Sequence, residues 1–156
     1  MHIQKAFLFD LNGTMIDDMD FHMKAWHQIL NDLGADISLA QMKEECYGKN
    51  DELLERIFPG RFSPDEKTRM SYAKEAAYQQ AFKPSLQLLS GLDVFLAKAS
   101  KENISMAIGS AAILYNIDFV LDGLNIRLTF LYMLCCYNRW KIMPDIQTIQ
   151  NKIDII

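Results

Sequence analysis

Short apolar runs near the two ends of the chain frame a long amphipathic stretch, and this change of texture is what the residues predict first. Residues 5–10 form an apolar run that ends in a polar turn, the pattern of a strand covered on both faces. From residue 18 to 82 the apolar positions recur at helical spacing, interrupted by start and stop signals. The segment 19–33 runs into Gly34, a helix stop. Ser38-Leu39-Ala40-Gln41 is a capping box that opens a second helix. Asn50-Asp51-Glu52 opens a third, closed by Pro59-Gly60. Ser63-Pro64-Asp65-Glu66 combines a Ser cap, Pro at the first helical position and Glu three residues on. The fourth helix it starts is expected to run to Lys83-Pro84. Beyond that, 92–101 reads as a helix ended by Asn103, 104–109 as a second buried strand, 112–122 as a helix with Gly123 just past it, and 128–134 as a third strand. Strands alternating with helices predict an α/β fold with a parallel sheet. Four consecutive helices after the first strand predict an inserted four-helix bundle. The domains expected are therefore a core of residues 1–14 and 85–156 and a helical insertion of residues 15–84.

Composition narrows the class without naming a function. At 156 residues, half of them hydrophobic and 23% charged, the chain can bury one real core, or a core with a small appended module. A net charge of −4 argues against a general nucleic-acid surface. Three cysteines, with Cys135 and Cys136 adjacent, make neither a disulfide framework nor a spaced metal site, which suits a reducing cytoplasm. No signal-peptide succession stands at the N-terminus. The apolar run at 128–137 falls short of the roughly 20 residues a bilayer requires, so no membrane partner is expected.

The chemistry concentrates at Phe7-Leu8-Phe9-Asp10-Leu11-Asn12-Gly13-Thr14. On local grounds two readings stand level. Asn-Gly between apolar runs is a strong signal for a two-residue hairpin. The same residues also suit a strand that delivers one carboxylate into a tight catalytic turn. The residues after Ile16 favour the second reading, because Asp17-Asp18-Met19-Asp20 looks like an acid-rich helix start rather than a returning strand. A calcium loop lacks its later acids and closing glutamate. Asp10 and Ser110 both follow predicted strands, and parallel α/β sheets bind ligands at the carboxyl ends of their strands.

These segments resemble the haloacid dehalogenase superfamily, and within it the β-phosphoglucomutase-like branch. The resemblance rests on Asp10-Leu11-Asn12-Gly13-Thr14 as the first motif and on Met106-Ala107-Ile108-Gly109-Ser110-Ala111-Ala112 as the second. Between them, residues 17–26 are similar to the opening cap helix, Gly48-Lys49-Asn50 to the substrate-facing cap loop, and Lys74-Glu75 with Tyr78 to the last cap helix. The resemblance implies a Rossmann-like (Rossmannoid) parallel-sheet core with a helical cap. It also implies Mg²⁺-dependent phosphoryl transfer, by a phosphatase or phosphomutase, on a small phosphorylated metabolite such as a sugar phosphate. Asp10 would be the nucleophile, the Asp10 carboxylate and the Asn12 carbonyl would contact Mg²⁺, and Ser110 with Ala111 would meet the phosphate. His22, Trp26, Lys49, Asn50 and Lys74 would face the substrate from the cap.

Two departures accompany the resemblance. Most members of this family carry Asp where this chain has Asn12, and a carboxamide cannot act as general acid and base. The third motif is reduced to Lys141, Pro144 and Asp145 in Trp140-Lys141-Ile142-Met143-Pro144-Asp145, which makes Lys141 the expected phosphate-stabilising lysine. The acidic pair of the fourth motif has no counterpart, since Asp154 stands too near the end of the chain to supply one. These departures support an alternative expectation: a truncated or frame-shifted remnant that binds phosphate or a partner without turnover.

Overall fold

A computed structural model describes residues 6–130, 132–135 and 139–142. The Cα framework divides into two compact units, Met1–Asp17 with Leu86–Ile156, and Asp18–Ser85. The first unit is an α/β layer. Its strands are β1 (Ala6–Phe9), β2 (Ser105–Ser110), β3 (Tyr132–Cys135) and β4 (Arg139–Ile142), in the spatial order β1-β2-β3-β4. The second unit holds helices α1 (Met19–Asp32), α2 (Leu39–Glu45), α3 (Asn50–Ile57) and α4 (Pro64–Phe82). Helices α5 (Leu92–Lys101) and α6 (Leu114–Gly123) return to the sheet unit and make the crossovers.

β1 pairs with β2 and β2 with β3 in parallel, with Phe9 opposite Ile108 and Ser110 opposite Cys135. The Asn12-Gly13 turn is therefore not a hairpin. The strand beside β1 arrives almost a hundred residues later in the chain, and parallel neighbours need such a crossover. Ile108, Leu96, Ile117, Val120, Leu121, Phe130 and Met133 supply the buried apolar core of this unit. In the second unit Trp26, Leu30, Met42, Leu53, Leu54 and Phe58 form a separate core. Two helix starts carry complete capping boxes, Ser38 with Gln41 and Ser63 with Glu66, each box joining side chain to backbone in both directions.

Four expectations need correction. β1 is not covered on both faces: Ala6, Phe7 and Leu8 are exposed, Leu8 by 70%. Among the described strands it stands last in the sheet and pairs only with β2, so an apolar run here does not imply two covered faces. The third strand begins later than expected, because 3₁₀ turn Arg127–Thr129 consumes the start of the apolar run and leaves β3 at Tyr132–Cys135. The sheet is also not wholly parallel. β4 returns antiparallel beside β3, with Cys135 opposite Arg139 and Met133 opposite Lys141. Finally, Gly123 lies inside α6, and the left-handed residue that ends that helix is Asn125, at φ 55°.

Candidate functional site

The turn after β1 is built by backbone and anchored by apolar side chains. Gly13 adopts φ 66°, a left-handed conformation that costs glycine nothing. This lets the chain fold back so that the Thr14 and Met15 amides donate to the Leu11 carbonyl, at 3.3 and 2.9 Å. Leu11, Met15 and Ile16 are fully buried, and the Leu89 amide donates to the Met15 carbonyl at 2.9 Å. The turn is thus pinned on both sides of its tip. Asp10, at its entrance, is exposed, and its Oδ1 accepts the Leu11 amide at 2.8 Å. Asn12 is half-buried.

β2 delivers the second component. Ser110 closes this strand, two positions past the residue opposite Phe9, so Asp10 and Ser110 leave neighbouring parallel strands at the same end of the sheet. Ser110 is buried, and its Oγ accepts the Ala112 amide at 3.2 Å. Ser110 is not the cap of α6, because Ile113 holds that position and no side chain caps the helix. Ala111 is exposed at the apex of this loop. The described strands run in sequence order with no reversal, so the site is defined by strand ends alone and not by a topological switch point. Lys141 lies within β4, two strands from β2, opposite Met133. Pro144, Asp145 and Asp154 lie outside the described residues.

Among the described residues no group of three or more His, Cys, Asp or Glu side chains is placed to hold a metal ion. The oxygen groups that the β1 turn offers include the exposed Asp10 carboxylate and the main-chain carbonyl of Asn12. These are hard oxygen donors of the kind Mg²⁺ uses, and Mg²⁺ commonly takes one or two carboxylates and completes its shell with phosphate and water. The residues present therefore fit such an ion.

The helical unit gathers a different set. His22, Trp26 and Leu30 form the buried stripe of α1, four residues apart. Lys74, Glu75 and Tyr78 occupy the buried face of α4. Lys74 Nζ donates to His22 Nδ1 at 2.6 Å and to both Glu75 oxygens at 3.1 Å. With Nδ1 accepting, the imidazole hydrogen sits on Nε2, 3.3 Å from Asp18 Oδ2, which also accepts the Tyr78 hydroxyl at 2.6 Å. The His22 and Tyr78 rings stack at 3.7 Å. Asn50 Nδ2 donates to Glu75 Oε1 at 2.8 Å. Burial holds His22 below its ordinary pKa; Lys74 pushes the same way, and the Asp18 bond and Glu75 oppose it. Burial likewise lowers Lys74, against the opposing pull of Glu75.

His22, Asn50 and Lys74 are thus brought together, with the Lys74 ammonium 5.7 Å from the Trp26 ring centroid. Lys49 stands apart from them, exposed, with its amide donating to Glu52 Oε2 at 2.9 Å. Asp18, Glu75 and Tyr78 belong to the same network; the sequence marked Asp18 as part of a helix start and Glu75 with Tyr78 as part of the last cap helix, but assigned none of them a site role. The four-residue spacings of Asp18 with His22 and of Lys74 with Tyr78 place each pair on one helix face. The pairing across 52 and 60 residues leaves no local trace.

A model of the haloacid dehalogenase-like hydrolase family matches residues 7–155. The chain belongs to that family. It is 28% identical over 116 residues to the β-phosphoglucomutase of Bacillus subtilis (strain 168), an alignment covering 69% of this chain and 51% of that protein. Among solved structures, β-phosphoglucomutase from Clostridium difficile superposes with a TM-score of 0.73 at 26% identity, over 88% of this chain and 64% of the other. CbbY from Rhodobacter sphaeroides, in complex with xylulose-(1,5)bisphosphate, superposes with a TM-score of 0.71 over 96% and 72% of the two chains. Its 20% identity speaks for the fold alone. The chain spans about half the length of the curated relative it matches. No helix among the described residues is long and apolar enough to cross a membrane.

Proposed function

We propose that this chain carries out phosphoryl transfer, as a phosphatase or phosphomutase, on a small phosphorylated metabolite of the sugar-phosphate class. One observation carries the reading: Asp10 and Ser110 leave adjacent parallel strands at the same end of the sheet. The Asp10 carboxylate attacks phosphorus, the ester oxygen departs, and an aspartyl-phosphate forms that a second acceptor then cleaves. Ser110 and the loop to α6 hold the phosphoryl oxygens, since a helix N-terminus favours an anion. Asp10 and the Asn12 carbonyl would hold Mg²⁺, which would supply positive charge to offset that of the two anions. Lys141 is the further cation of this reading. Lys49, Asn50, His22, Lys74 and Trp26 carry the substrate-binding roles of this reading within the helical unit. The relatives named β-phosphoglucomutase support a sugar-phosphate substrate.

A panel of phosphate esters with Mg²⁺, turned over by the wild type and lost in Asp10→Ala, is the expected result. Equal rates end the nucleophile assignment. Asn12 favours a second reading, a protein that binds phosphate or a partner without turnover, because no carboxyl stands at that position to protonate a leaving group. Thermal stabilisation by Mg²⁺ and phosphate with no hydrolysis of any ester would select it.

A further inference from the structure

The loop that opens α3 is held by two carboxylates from opposite sides. Glu52 takes the Lys49 amide from within the helix. Glu75, on α4, takes the Asn50 side chain from across the bundle. Glu75 is 3% exposed, and its buried oxygens are held by Asn50 at 2.8 Å and by Lys74 at 3.1 Å through both, with His22 at 3.8 Å. It therefore joins α3 to α4, and through His22 to α1. Lys49, by contrast, is exposed and lies directly before the residue that Glu75 grips. A side chain so placed does not reach solvent itself; it decides where its neighbours are presented.

We infer that Glu75 is the positioning residue of the Gly48-Lys49-Asn50 loop: its buried carboxylate fixes Asn50 and thereby sets where the Lys49 ammonium meets an anionic substrate. This rests on the proposed function for the substrate role of Lys49, and on the hydrogen bonds alone for the effect on the loop. The anchor is specific to an acceptor at that position. Glutamine keeps an oxygen for Asn50, whereas methionine of similar length offers none.

Glu75→Gln and Glu75→Met separate these cases. To guard against misfolding from an unpaired buried lysine, the same pair is made in a Lys74→Met background, which removes the buried cation at like volume. Hydrogen exchange read residue by residue is expected to quicken at least tenfold at Lys49 and Asn50 in the Met variant relative to the Gln variant, with Leu30 and Met42 unchanged. Equal exchange in the two overturns the inference, and so does a uniform rise through the whole bundle, which marks general destabilisation. With a sugar phosphate and Mg²⁺, Glu75→Met is expected to raise KM several-fold with kcat within twofold. The Lys49→Ala/Glu75→Met double variant is expected to be no worse than the more impaired single variant, because one residue acts through the other. Additive losses in KM also overturn it. If Lys49→Ala leaves KM unchanged while exchange at the loop still depends on residue 75, the substrate reading fails and the positioning by Glu75 stands.

Discussion

The two units hold their polar residues in opposite ways. At the β1 turn, apolar anchors and main-chain bonds do the holding, and the carboxylate of Asp10 is left exposed. In the helical unit Asp18, His22, Lys74 and Glu75 are all buried, and they satisfy one another. A group meant to react must be spared from holding the fold, whereas a buried ionisable group is tolerated only when it is paired. Under the proposed function, the contrast should separate residues whose loss removes activity from residues whose loss loosens structure.

The largest effect expected falls on the exposed side of this contrast. Asp10→Ala should reduce ester turnover by at least about 10⁴-fold, as removal of a nucleophile does. Its unfolding free energy, from urea titration, should change by less than about 0.5 kcal/mol, as is usual for exposed sites. A large stability loss would erase the distinction between the units. Asn12→Asp restores a group able to exchange protons, and should raise turnover of alkyl phosphates by about 10²–10⁴-fold. Aryl phosphates, whose leaving groups need little protonation, should gain less. No gain for either ester would show that proton transfer does not limit the rate.

The buried network gives the reverse pattern. Asp18→Ala deprives the Tyr78 hydroxyl and His22 Nε2 of their shared acceptor. It should cost roughly 1–3 kcal/mol in denaturant unfolding, the usual penalty for stranding a buried polar group. The same unit should respond to pH. Burial lowers the pKa of His22 in the folded chain from its ordinary value of 6.5, so below that value the unfolded chain binds the extra proton more readily than the folded one. The contribution of His22 is complete above pH 6.5 and is lost as pH falls below it toward the folded value. The slope from this one site is at most about 1.4 kcal/mol per pH unit. A proton on Nδ1 would also remove the acceptor for Lys74 and oppose two cations. Lys74→Met should therefore flatten the acid limb of a melting-temperature profile, and an unchanged profile would remove Lys74 from the cause. The smallest effect belongs to the helix starts: Ser63→Ala should cost about 1 kcal/mol by loss of its cap.

Much of the fold was legible because local chemistry announces it. Ser38 and Ser63 open the helices they were expected to open, and the helix expected over residues 92–101 is α5. Asn103, at φ 54°, follows it closely, as its place in the sequence suggested. Errors appear where one apolar run serves two structures. Residues 128–134 have the hydrophobicity of a single strand, but hydrophobicity does not distinguish a 3₁₀ turn such as Arg127–Thr129 from the strand that follows it. β1 carries the same message as β2 in its residues, and only its place in the sheet leaves Leu8 exposed. At the strand ends, Asp10 and Ser110 were legible because a polar residue closing an apolar run is a local signal. The network around Glu75 was not, because the bonds that tie its helices together join residues 25 to 60 positions apart.

Gly48 marks how little room the loop before α3 leaves for variation. At φ 77° it occupies backbone territory that other residues enter at a cost, and a methyl group there would sit 2.7 Å from the very carboxylate oxygen that caps Lys49. A saturation library should return almost nothing but glycine at this codon, while the neighbouring lysine, open to solvent, accepts many substitutions that leave the fold intact. Such a sharp step in tolerance between adjacent positions would record, in genetic terms, where the backbone is held rigid and where the next side chain is open to change.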